Sequence, residues 1–540
     1  MIWGMCKRLF GKRSSDVNLA SNDDSFPKKF KSKLFLAIAR KYAGDFAMIP
    51  EILDFDKHFA QFPLTDYKFR MKRETGIIVS KKGIKFDKDR MAYIIGLISS
   101  IPASNKDSIS EDGYVHIYSK YIQDFFPDYK CYLDYLINTW VVISDGFYIE
   151  GKKSIGYKFA PAYENAKLVK YVFNRKYQGK EASSLAVPAQ TYNKDTDRLE
   201  DNPLVNMPYL SFWYNNKKLT INSGAREYAW KVKEQKFASG YSSWDDNHDK
   251  WDKKNKRYFK KYPKSQYNAA MHNIAAIEIG AYNAKIDSNV HRLHSTITNM
   301  QEDFRNFLKY DDKELTAIDI SNSQPFLLCI LFNPEFWDKD SDTYINIRHL
   351  PENIQKMFTP TLLTEIKRYV ASTPAANLQN YIREASAGNL YEFMQRKINN
   401  PDIDRSRVKT MILITFFSDN KYISQQTEDA ALKRKFRELF PEIYDLIAKC
   451  KRSRTNRFAC LLQSVESDII LNRCCKRIWD EGGHKVPVFT IHDSIATTAE
   501  NVGLVRNIMD EELYKAAGVH PHFKEETWSE ANLELTESII

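Results

Sequence analysis

Cysteine is scarce in this sequence, seven in 540 residues, and two of the seven, Cys474 and Cys475, are adjacent. That arrangement is neither a disulfide framework nor the paired C-x-x-C spacing of a structural zinc site, and it predicts a reducing, cytoplasmic setting. Long apolar runs are also missing. The longest, such as 326–332, fall far short of the roughly 20 residues that cross a bilayer, so no membrane partner is expected. The opening MIWGMCKRLFGKR carries charges inside its apolar stretch and has no small-residue cleavage site, so no export signal is expected. No internal repeat recurs, which sets aside repeat architectures. What is present is length and positive charge. A chain of 540 residues predicts about three domains, or one large body with an appended module. A net charge of +11 and a pI near 8.9 are compatible with a polyanionic partner without establishing one.

Residues 1–32 are rich in Ser, Asp, Asn and Lys and read as a flexible leader with a basic end at KKFKSK. From 33 to 163 the pattern is compact, with helices expected over 91–100 and 130–140 and two strands around the Gly-Lys-Lys turn of VVISDGFYIEGKKSIGYKF. Helices followed by a basic-tipped hairpin suit a winged helix, with Lys152 and Lys153 placed to touch phosphate; a small α+β packing module has the same pattern. The stretch 164–229 carries weak signals and reads as a connector. Beyond it, KKNKRYFKKYPK interleaves cations with aromatics, as a backbone-tracking surface or a solvated helix face would.

The chemistry-bearing residues lie in the C-terminal half. ELTAIDISNSQPFLLCILF reads as a strand ending at Asp319, followed by a helix from about Gln324. VPVFTIHDSIATTAE reads as two strands joined at His492 and Asp493, which puts a second carboxylate at a hairpin tip. Two such carboxylates suit a two-metal site, because hard oxygen ligands hold Mg²⁺ while the ions activate a hydroxyl and neutralise a departing pyrophosphate. Either aspartate alone would be an ordinary turn or cap residue. Between them, RSRVKTMILITFFSDNKY places Arg405, Lys409, Leu413 and Phe417 at intervals of four, one slowly drifting helical stripe. Its cations could grip a triphosphate and its apolar end could pack on base and sugar; an amphipathic helix with a basic end would look the same.

Taken in order, carboxylate, basic helix and carboxylate hairpin resemble motifs A, B and C of the family A DNA polymerases and single-subunit phage-type RNA polymerases, over roughly 285–500. RLHSTITNM is similar to the family's Arg-Leu-Ser segment, which implies that Arg292 meets the primer-template duplex. DISNSQ resembles motif A, with Asp319 a metal ligand and Gln324 at the sugar gate. Lys409 stands at the triphosphate-binding lysine, with Arg405, Leu413 and Phe417 in register. FRELFPEIYDLI resembles a fingers helix, QSVESDII implies a template contact for Gln463, and IHDS resembles motif C, with His492 near the primer end and Asp493 the second metal ligand.

The resemblance implies an α+β right-hand polymerase, with a thumb-like duplex-holding region at 230–310 and palm and fingers at 311–540, behind a winged-helix-like module at 33–163. Two Mg²⁺ ions, with Mn²⁺ able to substitute, a DNA primer-template or other nucleic acid, nucleoside triphosphates and replication proteins are the implied cofactors and partners. Gln324 and Phe417 lean towards deoxynucleotides, and the serine after Asp493 towards ribonucleotides. DNA synthesis in a phage or mobile element is the leading expectation. An RNA polymerase or primase, a non-catalytic replication initiator and a template-independent transferase are the alternatives.

Overall fold

The computed structural model describes residues 46–63, 70–73, 76–79, 87–105, 108–119, 122, 129–149, 153–174, 186–193, 198–239, 250–252, 257–259 and 261–533. The leader 1–32, Lys152 and the cationic run 253–256 lie outside these described residues. The architecture is mixed α+β, and its largest sheet has six antiparallel strands. Lys313–Ile320 is the central one. It pairs with Ser494–Thr498 on one side and Phe523–Trp528 on the other, while its first residues meet Leu308–Tyr310. Leu219–Ile221 and Phe489–Ile491 form the two ends of the sheet.

Neighbours on both edges satisfy the central strand's backbone. Leu315 and Ile318 can therefore be fully enclosed, and Ala317 and Ile320 buried, without orphaned peptide groups. The strand's last turn carries Asp319 out of this core, half-buried.

Seven α-helices of nine residues or more separate the central strand from the hairpin in sequence, among the described residues: Pro360–Ser372, Ala375–Ser386, Leu390–Ile398, Arg405–Phe417, Glu428–Leu439, Pro441–Lys451 and Arg457–Ser467. Three of the seven start at a side-chain cap. Thr359, Asp404 and Thr427 accept hydrogen bonds from the Leu362, Arg407 and Ala430 amides. Arg457–Ser467 runs on without interruption into a π-helical stretch, Asp468–Cys475, and then a last α-helical segment, Lys476–Glu481. Inside the π stretch the Arg473 guanidinium donates to Asp468 at 2.8 Å.

In the N-terminal part the expected helices run over Lys88–Ser104 and Tyr129–Asn138. The expected hairpin strands are Val142–Ser144 and Gly156–Phe159, with Val115–His116 completing a three-stranded sheet. Lys88–Ser104 packs on the strand Phe46–Pro50 and on the helix Pro263–Glu278. Gly96 permits this approach, because a Cβ there would lie 2.7 Å from that of Ala47.

The stretch read as a connector, 164–229, carries regular structure. Leu168–Val172 pairs with Phe46–Pro50, Leu219–Ile221 joins the main sheet, and the helix Pro208–Asn215 buries Trp213 and Tyr214. Leu168–Val172 and Leu219–Ile221 find their partners far away in sequence, so local pattern gave them little signal, whereas Gln190–Asn193 and Arg198–Asp201 pair with each other. No helix among the described residues is long and apolar enough to cross a membrane.

Candidate active site

Strand register brings the two aspartates together. Asp319 sits opposite Ser494, and Asp493 is the second residue of the two-residue turn joining Phe489–Ile491 to Ser494–Thr498. The first turn residue, His492, has φ +59°, a left-handed conformation that His tolerates better than most side chains. Both carboxyls are pushed above the ordinary aspartate range. For Asp319 burial is the largest cause and the Asp493 charge the next, with Lys524 opposing. For Asp493 burial also dominates, opposed by its own backbone N–H, the Ser323 hydroxyl, Arg292 and Lys409.

Two carboxylates that raise each other's proton affinity form a hard-oxygen donor set suited to a divalent cation, which would relieve the repulsion. Among the described residues no third His, Cys, Asp or Glu completes a metal-ligand cluster. Mg²⁺ held by one or two carboxylates takes its remaining oxygens from water and phosphate, so the residues fit that ion.

The basic helix Arg405–Phe417 presents its stripe as a gradient. Arg405 is exposed, ion-paired to Glu392 at 2.6 Å and set 5.1 Å over the Tyr391 ring. Lys409 is half-buried, and Leu413 and Phe417 are enclosed. Burial lowers the Lys409 pKa and Arg405 lowers it further, while Glu302, Asp319 and Asp493 pull it back up, so its charge and those of the paired aspartates act on one another.

Two buried lysine amino groups close the far end of this helix. Lys451 Nζ donates to the carbonyls of Thr415 at 2.6 Å and Ser418 at 2.9 Å; Lys433 Nζ donates to Ser418 Oγ at 3.0 Å and the Asp419 carbonyl at 2.7 Å. These donors satisfy carbonyls that the helix end leaves without an intrahelical partner, while burial holds the Lys451 pKa well below the ordinary lysine value. Burial holds the Lys433 pKa down to about 8. The unfolded chain therefore keeps a proton that the folded chain releases, and stability rises with pH from about 8 towards the ordinary lysine value. Lys433→Met is expected to flatten that rise between about pH 8 and 10; equal slopes of urea midpoint against pH in the two proteins would contradict it.

Beneath the aspartates lies a buried polar network. Arg292 Nη2 meets Glu466 Oε1 at 2.6 Å, and Gln324 Nε2 donates to Glu466 Oε2 at 2.6 Å. All three side chains are buried, with Glu466 only 1% exposed, and Gln463 on the same helix is buried as well. Burial, the largest cause, raises the Glu466 carboxyl to about 7 against the pull of Arg292. His492 lies 6.3 Å from the His294 ring, which meets Asp287 at 3.2 Å. Burial and then Arg292 hold the His492 imidazole neutral, well below its usual pKa.

Several buried atoms here have no partner: Arg292 Nε, Asn322 Nδ2, Gln324 Oε1, Thr490 Oγ1 and His492 Nδ1. These are polar atoms whose bonds the protein's own groups do not supply, and a water or a ligand group can meet them there. Lys153 belongs elsewhere. It is tied to Asp145 at 2.9 Å on the N-terminal hairpin and lies 5.2 Å over the Phe147 ring.

Sequence reasoning missed Glu466, Lys433 and Lys451. Glu466 did have a signal, a carboxylate inside the otherwise apolar face of FACLLQSVESDII. The two lysines had none that distinguishes them from their solvated neighbours.

No family model and no curated protein matches the chain. Among solved structures it is similar to the POL domain of Pol1 from M. smegmatis in complex with DNA primer-template and dNTP, at 13% identity over 60% of this chain and 70% of that chain, with a TM-score of 0.30. A TM-score of that size carries no assignment.

Proposed function

We propose that the chain is a template-directed nucleotidyltransferase of the family A type, with DNA synthesis as its leading activity. The observation that carries this reading is the placement of Asp493, in the turn just before Ser494, beside Asp319, whose strand partner is Ser494, with both carboxyls within the electrostatic reach of Lys409 on a basic helix. In the proposal the two aspartates hold two Mg²⁺ ions, for which Mn²⁺ can stand in; bound there, the ions would activate a primer hydroxyl and neutralise the leaving pyrophosphate.

Lys409 and Arg405 take the triphosphate, Arg405 by exchanging Glu392 for a phosphate oxygen. Leu413 and Phe417 back the base and sugar, and Gln324 stands beside the sugar. The primer end lies by His492, with Arg292 and Gln463 supporting the duplex side of the site. An N-terminal α+β module attached to such a site, with Lys152 and Lys153 towards phosphate, suits replication of a phage or mobile element. A ribonucleotide-using enzyme is the second reading, favoured by Ser494 directly after Asp493.

Primer extension on a defined DNA template with Mg²⁺, run with deoxynucleotides and with ribonucleotides, tests the proposal. Wild type should extend with one mixture. Lys409→Ala should raise the nucleotide KM by about tenfold or more, as loss of one charge-assisted contact implies. Failure of wild type with both mixtures would overturn the polymerase reading.

A further inference from the structure

We propose that Glu466 is a positioning residue for sugar recognition: it fixes the carboxamide of Gln324 so that the carbonyl oxygen, an acceptor, is the group offered to a hydroxyl of the nucleotide sugar. This rests on the nucleotidyltransferase reading and deepens it. An ionised carboxylate can only accept hydrogen bonds. With Arg292 Nη2 at 2.6 Å on one oxygen, the other oxygen of Glu466 takes the Gln324 amide N–H at 2.6 Å. The two ends of a glutamine amide are nearly the same shape, so its orientation is decided by such a neighbour.

Here the decision leaves Gln324 Oε1 buried and without a partner. An unsatisfied buried acceptor is costly, and a ligand hydroxyl that reaches it recovers that cost. Gln324 lies five residues after Asp319 in the helix Ser323–Leu328. Arg457–Ser467, which carries Glu466, packs against both that helix and the basic helix, with Phe458 edge-on to Phe416 at 5.4 Å. Glu466 therefore sits at the junction of the sugar-facing and triphosphate-facing elements.

Glu466→Gln makes the logic testable, because it should invert the chain of bonds. Arg292 would donate to the introduced carbonyl, the introduced amide would donate to Gln324 Oε1, and Gln324 would then offer N–H in place of C=O. The sugar hydroxyl in question is either 2′ or 3′. Single-turnover incorporation is therefore compared for ribonucleotides, deoxynucleotides and dideoxynucleotides: a step between the first two assigns the 2′ hydroxyl, and one between the last two assigns the 3′ hydroxyl.

Wild type is expected to favour the nucleotide that carries the hydroxyl, and Glu466→Gln to reduce that preference about tenfold, the worth of roughly one hydrogen bond. Ratios taken within one enzyme cancel any general loss of folding or activity. Gln324→Met, similar in length but unable to hydrogen-bond in this way, should lose the same preference, and Glu466→Gln added to it should change the ratios no further. If wild type shows no such preference, or if its ratios persist unchanged in Glu466→Gln or in Gln324→Met, the assignment fails. Absence of incorporation of any nucleotide by wild type would instead remove the nucleotidyltransferase reading itself.

Discussion

Asp493→Ala is expected to lose nucleotidyl transfer by about a thousandfold or more while folding at least as stably as wild type, and Asp319→Ala is expected to do the same. The two expectations share one cause. A carboxyl pushed above its ordinary pKa holds in the folded chain a proton that the unfolded chain has already released, so stability falls as pH rises above the usual aspartate value. Burial raises both, and for Asp319 the Asp493 charge adds to it. Removing either partner relieves the other, which should add about 1 kcal/mol at neutral pH in chelator. Mg²⁺ should raise the Tm of wild type and leave that of Asp493→Ala nearly unmoved, since a ligand stabilises only the state that binds it. Primer extension and thermal unfolding, each with and without Mg²⁺, read both halves. Wild-type turnover in either variant would sink the two-metal assignment, and a large fall in Tm in chelator would make the aspartates structural.

Arg292→Met should be the most destabilising single change near the site, by about 3–5 kcal/mol at pH 8. The side chains of Arg292 and Glu466 are 4% and 2% exposed, so solvent screens their ion pair very little. Without the guanidinium, Glu466 is left with the Gln324 amide alone and must be buried charged or take a proton. The loss should therefore shrink at pH 6, where protonation of Glu466 is easier. Adding Glu466→Gln to Arg292→Met should recover much of the stability, because it removes the stranded charge. Urea unfolding of the two single variants and the double variant measures this. A loss under about 1 kcal/mol for Arg292→Met would mean that the pair does not hold the floor of the site.

The parts of the site that were legible in the sequence are those set by local pattern. Asp319 at the end of a strand and Asp493 at a hairpin tip follow from alternation and from the two-residue turn His492–Asp493. The basic stripe follows from spacing by four, and the helix that carries it runs over Arg405–Phe417. What was not legible depends on partners remote in the chain. Gln324 drew notice only through the resemblance of DISNSQ to motif A, and its hydrogen bond to Glu466, 142 positions away, could not be read. Lys451 looks like one more cation near the end of an amphipathic helix until the Thr415 and Ser418 carbonyls are seen at its Nζ. The strand Leu168–Val172 was hidden for the same reason, its partner Phe46–Pro50 lying more than a hundred residues earlier.

The π-helical stretch Asp468–Cys475 constrains the gene as well as the fold. Each wide turn accommodates one more residue than an α-helix spends on the same advance, and the Arg473–Asp468 contact spans those five positions. A deletion of one codon here could heal into an unbroken α-helical ladder, a change that local stability would welcome. Later side chains, the enclosed Ile478 among them, would keep nearly their present phase, because the residue removed is the one the wide turn takes up. A deletion in the regular turns on either side has no such residue to give up and would turn everything after it by roughly 100° about the axis, so the tolerance of this helix to a change of length is confined to the stretch between Glu466 and Ile478.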